Sequence, residues 1–324
     1  MSCREIELPK LMLAADLKST LAVLTKILDC EDSVVRVNAR ALEFAEPLPM
    51  CLLAAQLHNL NRLGGVAEIF DLKPEVAERL RKMDVLDEWL KTHSAGRSRT
   101  SRMDTLQARI VTSQSDADSV ANFLAERIAD FTPAELDPST DTLRCDRIEI
   151  PLAYMFSELL DNAVTHARGR GFLHANAWIA AQYYPQGGRI RVAVVDNGCG
   201  FLRSLESHPK VLPRTHEVAI RAAFEPRVSC NREVLLFDDS LNQGIGLTIS
   251  RDIALRSGGL VQAGSGDRWI SNPGRSEESV DRITYWQGSM LNFELHRAGL
   301  ISFNFRTLFA QYQRERASCG PRFV

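Results

Sequence analysis

"SELLDNAVTHA", residues 157 to 167, places Glu158, Asn162 and His166 at successive four-residue steps. Residues four apart lie above one another on one helical face, so the three polar side chains form a single stripe. Leu159, Leu160, Ala163, Val164 and Ala167 supply the apolar surface. Taken alone, such a stripe reads as the solvated side of an amphipathic helix. The other reading is that it faces a ligand, and the residues downstream bear on the choice.

After that helix, "GFLHANAWIAAQYY" (171–184) and "GRIRVAVVD" (188–196) read as two strands joined by the turn sequence "PQGG", hence a hairpin. The second strand runs straight into "DNGCG", Asp196 to Gly200, so a carboxylate stands at a strand end with glycines at 198 and 200. Glycine there permits positive backbone angles and close approach of a ligand, although an Asp-Asn-Gly turn closing a strand is common in its own right. Farther on, "NQGIGLTISRDIALRSGG" (242–259) sets Gly244 and Gly246 at the entrance of an apolar-periodic helix that ends at Gly258 and Gly259. The first turn of a helix leaves free N–H groups, which suit an anion; a plain glycine-containing helix entrance has the same sequence.

Elimination narrows the chemistry. The chain contains no G-x-x-x-x-G-K-[ST] loop, no G-x-G-x-x-G fingerprint, no G-x-S-x-G elbow and no H-E-x-x-H helix. Taken in order, "ELLDNA", "DNGCG" and "GIGL" resemble the three nucleotide-binding motifs of the GHKL ATPase superfamily, which includes DNA gyrase B, MutL, sensor histidine kinases and the anti-sigma-factor serine kinases. The resemblance spans residues 105 to 297. It implies a Bergerat fold, an α/β sandwich with a mixed sheet covered on one face by helices, and ATP with Mg²⁺ as its ligands. "YWQGSMLNFEL" (285–295) is similar to the family's closing strand, with Gly288 and Ser289 in place of the usual Gly-Thr.

That resemblance assigns expected roles. Asn162 stands where the family binds Mg²⁺ through an amide oxygen, the triphosphate and waters supplying the other ligands. Glu158 matches the acidic residue that activates the attacking water or hydroxyl in the gyrase, MutL and serine-kinase branches, a general-base task. Asp196 would accept a hydrogen bond from the adenine amino group, with Ser289 supporting it through water. Gly198 and Gly200 would admit the nucleotide, and the N–H groups of Gly244, Ile245, Gly246 and Leu247 would cradle phosphates. His166 matches a histidine common in the anti-sigma kinases, without a derived role. The segment from Gly200 to Gly244 would be an ATP lid, in which Arg221, Arg227 and Arg232 are either solvated or within reach of phosphate.

The 324 residues suffice for two domains, and 45% hydrophobic with 25% charged is an ordinary globular balance. A formal net charge of −2 offers no general attraction to nucleic acid or to an anionic membrane. Seven cysteines, at 3, 30, 51, 145, 199, 230 and 319, are odd in number and scattered, suggesting neither a disulfide framework nor a structural zinc site. "MSCREIELPK" has no apolar signal core and no stretch suits a membrane span, so a reducing cytoplasm is the expected setting.

"HSAGRSRTSR" (93–102) is small, polar and basic, the composition of a linker, and a boundary at 93–104 divides the chain. Before it, "DLKSTLAVLTKIL" reads as a helix, "SVVRVNA" as a strand, "PMCLLAAQLHNLNRLGG" as a helix, "VAEIFDL" as a strand and "KPEVAERLRKMDVLDEWL" as a helix: a small α/β unit over residues 1–92. The order of these elements resembles a STAS domain, the fold of anti-sigma-factor antagonists. That family's phosphorylatable serine turn is replaced here by "FAEPLPM" (44–50), which has no hydroxyl. The resemblance therefore implies a regulatory unit that docks a protein partner, with Glu46, Leu48 and Met50 near the contact and Pro47 and Pro49 stiffening it. A flexible linker would let the two units move independently. Self-association is left open.

Two functional classes follow. One is an ATP-dependent regulatory enzyme, an ATPase or serine/threonine kinase of the partner-switching type. The other is a non-catalytic ATP-dependent switch. His93 lies in the linker without the helical setting of a phosphoacceptor histidine, which argues against a typical histidine kinase. The tail at 298–324 is too short for the transducer domain of the gyrase and MutL relatives.

Overall fold

A computed structural model describes residues 3–28, 34–81, 86, 106–131, 136–137, 142–143, 146–229 and 244–317. The expected linker, and Arg232 within the expected lid, lie outside the described residues. In the front unit the chain runs β1 (Cys3–Glu7), β2 (Leu11–Met12), α1 (Leu17–Leu28), β3 (Val34–Asn38), β4 (Phe44–Ala45), α2 (Pro47–Arg62), β5 (Val66–Phe70) and α3 (Pro74–Arg81). β1, β3 and β5 form a parallel sheet in that order, and β2 pairs with β4.

The rear unit runs β6 (Leu106–Val111), α4 (Gln114–Ala129), β7 (Leu136–Asp137), β8 (Thr142–Leu143), α5 (Asp146–Ala167), β9 (Ala177–Tyr184), β10 (Arg189–Asp196), α6 (Gly200–Ser204) and α7 (His216–Ala223). It continues through α8 (Gly246–Arg256), β11 (Leu260–Ser271), β12 (Ser279–His296), α9 (Arg297–Ser302) and α10 (Phe305–Ala317). Its five-stranded sheet has the order β11-β12-β10-β9-β6. Every described pair in it is antiparallel, not the mixed sheet that the resemblance implies. The expected hairpin is present as β9 and β10, but β9 starts at Ala177 rather than 171, because "GFLHAN" is spent on turns after α5.

Side-chain alternation sorts the sheet onto two faces. On one, Ala177, Ile179 and Ala181 of β9 and Ile190, Val192 and Val194 of β10 join the core built with α4, α5 and α8. On the other, Trp178, Ala180, Ala193 and Val195, with Trp286 and Met290 of β12, join a core made largely of front-unit residues. The sheet is therefore covered on both faces, not one, and the second cover is the front unit.

The element that does the covering is α2, which lies against β9 and β10. Every residue from Pro47 to Leu57 is buried, an all-round burial that a helix shows only between two layers. Alanines at 180 and 193 let it approach the sheet closely. Pro47 occupies the first helical turn, where a missing N–H costs nothing, and Glu46 stands at the N-cap position in extended conformation without a side-chain cap bond. Glu46 also contacts the rear unit: its Oε1 takes a hydrogen bond from Arg191 Nη1, whose Nε donates to Glu294 at 2.8 Å, while its Oε2 accepts from the Ala14 N–H at 2.9 Å.

A shared core of this kind does not suit two units that move independently. Expressed alone, residues 1–92 would expose the sheet-facing side of α2, including the row that packs on Trp178 and Val195. We expect that fragment to aggregate, while the full chain stays in solution; analytical ultracentrifugation checks this, and a monodisperse, cooperatively melting fragment would contradict it.

Candidate functional site

α5, the loop after β10, α6, the end of α7 and the segment after it, the entrance of α8, and β12 converge on a cavity of about 350 Å³. That volume lies in the range of small-ligand pockets. Its walls include Glu158, Asn162, His166, Asp196, Gly200, Gly244, Gly246, Leu247 and Ser289, so the polar stripe of the opening motif does face the cavity. Gly198 and Ile245 are not in the wall. Gly198 contributes through its N–H to Asp196, and Ile245 is the residue immediately before α8.

Asp196 is buried at the end of β10. Its Oδ1 accepts the Gly198 N–H at 2.9 Å, and its Oδ2 accepts the Ser289 hydroxyl directly, with no need of an intervening water. Burial raises its carboxyl to about 6, and the Ser289 and Gly198 donors act against that rise. The Ser289 N–H acts on the carboxylate as well, so with three donors engaged about one of its four acceptor sites is left for a ligand.

Glycines make this loop possible. A Cβ on Gly198 would stand 2.3 Å from the Ala167 carbonyl oxygen, and one on Gly288 would stand 1.9 Å from the Asp196 carbonyl oxygen. Gly200 takes φ +69°, which glycine adopts without strain. Two residues outside the three nucleotide-binding motifs pin the loop. Trp286 Nε1 donates to the Asp196 carbonyl at 3.0 Å, and buried Ser265 accepts the Phe201 N–H at 3.3 Å while donating to Gly288. In the sequence Ser265 stands between Gly264 and Gly266 in a strand of mixed polarity, a setting that carries no sign of its distant partners.

On α5, Asn162 Nδ2 donates to the Glu158 carbonyl at 2.7 Å, which leaves its amide oxygen available on the cavity side. Burial raises the Glu158 carboxyl to about 7, with the charge of Asp161 adding to it. The Tyr154 hydroxyl one turn earlier pulls the carboxyl back down electrostatically, without closing a well-formed hydrogen bond. Gly246 has no room for a side chain, since a Cβ there would meet Glu158 Oε2 at 2.0 Å. The carboxylate thus abuts the start of α8, at the positive end of its dipole. His166 is held below the usual histidine range by burial, with Asp161 opposing.

The expected lid is partly helical. α6, α7 and the turns between them close a small core of Leu205, Val211, Ala219, Ala222 and Val228. Arg221 is engaged by Glu278 and Glu217, each at 2.6 Å. Arg227 contributes its backbone: at φ 66° its N–H donates to the Gly244 carbonyl at 2.7 Å and fixes the glycine loop.

Among the described residues no three His, Cys, Asp or Glu side chains gather into a metal-binding set. Asn162 alone suits a cation delivered with its own anionic ligands, as Mg²⁺ is by a triphosphate. Among the described residues no helix is long and apolar enough to cross a membrane.

Residues 147–287 match the family model of histidine kinase-, DNA gyrase B-, and HSP90-like ATPases. This match supports a GHKL-type ATP-binding domain, and the region it covers contains Glu158, Asn162, Asp196 and the Gly244–Leu247 loop. A comparison with curated proteins gives no match.

Proposed function

We propose that the chain is an ATP-dependent regulatory protein that phosphorylates a protein partner or switches it. The observation that carries this reading is Glu158, a carboxylate raised to about 7 in the wall of the cavity, one helical turn from Asn162. A base poised near neutral pH is matched to taking a proton from a hydroxyl or water.

The residues divide the work. Asp196 accepts a hydrogen bond from the adenine amino group, and guanine, with an oxygen acceptor at that position, is disfavoured. The N–H groups at the entrance of α8 hold phosphate oxygens. Asn162 is the protein ligand for Mg²⁺, which when bound supplies charge neutralisation of the phosphates. Glu158 orients the nucleophile and takes its proton. The front unit, STAS-like in the order of its elements, serves as the regulatory surface toward the partner.

A second reading, a switch that binds ATP without turning it over, is favoured by the seating of α2 against the strand that ends in Asp196. One experiment separates them: the purified full chain with γ-labelled MgATP, alone and with a cell extract. Label on a second protein supports the kinase, free phosphate supports an ATPase, and saturable binding without either supports the switch. No binding of ATP at all would remove the proposal.

A further inference from the structure

We propose that Asn59, on α2 of the front unit, is a positioning residue for the adenine-facing loop, acting through Asn197. The inference rests on the nucleotide reading above and extends it to a residue far from the three motifs in sequence.

The interface between α2 and the sheet is mostly apolar, with Trp178, Ala180, Ala193 and Val195 on the sheet side. Besides the Glu46–Arg191 pair at the entrance of α2, a polar chain crosses it at the last turn of the helix. Asn197 Nδ2 donates to Asn59 Oδ1 at 2.5 Å, and Asn197 Oδ1 accepts the Asn176 N–H at 2.8 Å. Asn176 Nδ2 pairs with His58 Nε2 at 3.0 Å, and the His58 ring meets Trp178 edge-on at 5.5 Å. Asn197 itself is buried, so an amide nitrogen there needs an acceptor.

Asn197 stands between Asp196, whose carboxylate faces the cavity, and Gly198, whose N–H holds that carboxylate. Its own side chain is not in the cavity wall; it points at the front unit. The Asp196 carbonyl is tied to Trp286, which belongs to the same shared core. The position of the adenine acceptor is therefore set by what packs on the opposite face of the sheet. Site geometry of this kind has to hold to about half an ångström, and a side-chain hydrogen bond fixes register where apolar packing alone would allow slip. Coupling runs both ways: nucleotide that favours this loop position also favours the seated α2.

The test uses the full chain and MgADP, which reads the adenine end without any transfer of phosphate. Asn59→Ala should weaken ADP binding about tenfold, the order of one buried hydrogen bond lost with its donor left unpaired. Asn59→Asp keeps the acceptor oxygen at a half-buried position and should bind within about threefold of wild type. Asn197→Ala should weaken binding to a similar extent, and the double variant should be no weaker than either single one. Additive losses would mean independent structural damage and would overturn the proposal. So would wild-type affinity in Asn59→Ala, or an Asn59→Asp variant as weak as Asn59→Ala. If Asn59→Ala does not fold, Asn59→Ser, whose hydroxyl is too short to reach Asn197, carries the same expectations. A wild-type chain that binds no ADP defeats the nucleotide reading itself. Tight wild-type binding with an indifferent Asn59 defeats only this inference.

Discussion

Asp196→Asn should weaken ATP binding by about a hundredfold or more and, in the same protein, raise the melting temperature measured without nucleotide. The two effects have one cause. Asp196 is buried, and burial raises its carboxyl from 3.8 to about 6. Between those two pH values the folded state holds the proton more firmly than the unfolded chain does. Stability from this group is therefore fully present below 3.8 and is lost as pH rises through 6. At neutral pH the ionised carboxylate costs stability, by up to about 3 kcal/mol if the whole shift is converted. Asparagine is isosteric, can still accept from Gly198, and has no charge to desolvate. Toward an adenine amine, however, it sets a donor where an acceptor is needed, and the opposition of two donors adds to the lost bond. Isothermal calorimetry with ATP and differential scanning calorimetry across pH 4 to 8 measure both halves. Undiminished affinity for ATP would remove Asp196 from the adenine role; an unchanged melting temperature would remove the desolvation argument alone.

The candidate site was legible because its residues sit at fixed backbone features. A helical stripe is read from spacing, and Glu158 and Asn162 both line the cavity as that spacing requires. A carboxylate at a strand end followed by glycines is likewise a local pattern, and Gly198 and Gly288 prove to be places where a Cβ would strike backbone. Ser265 and Trp286 were not legible, since each acts through a contact far along the chain: Trp286 with Asp196, Ser265 with the loop after Gly200. Arg221 shows the opposite limit. A partly exposed arginine carries no pattern that separates phosphate from carboxylate partners, and on α7 it pairs with Glu217 and Glu278.

The relation of the two units was partly written in the strands. "AWIAAQYY" is buried along nearly its whole length, and "RIRVAVVD" is apolar on both faces from Val192 to Val195. A strand covered on one face alternates; a near-continuous apolar run implies cover on both. α2 carries the matching signal, an apolar sequence too broad for one face. The linker-like composition at 93–102 spoke for separation, but a polar connection states only that the chain there is solvated, not that the units it joins stand apart. Packing between distant segments decided the outcome, and the alanines that admit α2 read in sequence simply as small residues.

Glu158→Gln is the second large effect. Turnover should fall by about 10² to 10⁴, the usual worth of a general base, while MgATP affinity stays level or improves as a negative charge near the phosphates is removed. Glutamine preserves the volume that faces Gly246, where no side-chain atom has room, so the entrance of α8 is undisturbed. The pH dependence follows from the direction of the shift. Burial raises the Glu158 carboxyl from 4.5 to about 7, with Asp161 reinforcing the rise and Tyr154 opposing it. A base works only when ionised, so wild-type turnover should climb with pH up to about 7 and then level off. Because the folded pKa is raised, ionisation also costs stability above that point, and Glu158→Gln should melt at a higher temperature than wild type at pH 8. Tyr154→Phe deletes the group that draws the carboxyl down, so its rising limb should move to higher pH with the plateau rate preserved. Rate–pH profiles for the three proteins, measured by phosphate release or partner labelling, check each step. A Glu158→Gln variant that turns over at the wild-type rate, or that keeps the same acid limb, would take the base role from Glu158. A wild type that binds MgATP and never turns it over would leave the raised carboxyl as a sensor of the bound triphosphate, which the same Gln substitution would then report as an altered affinity.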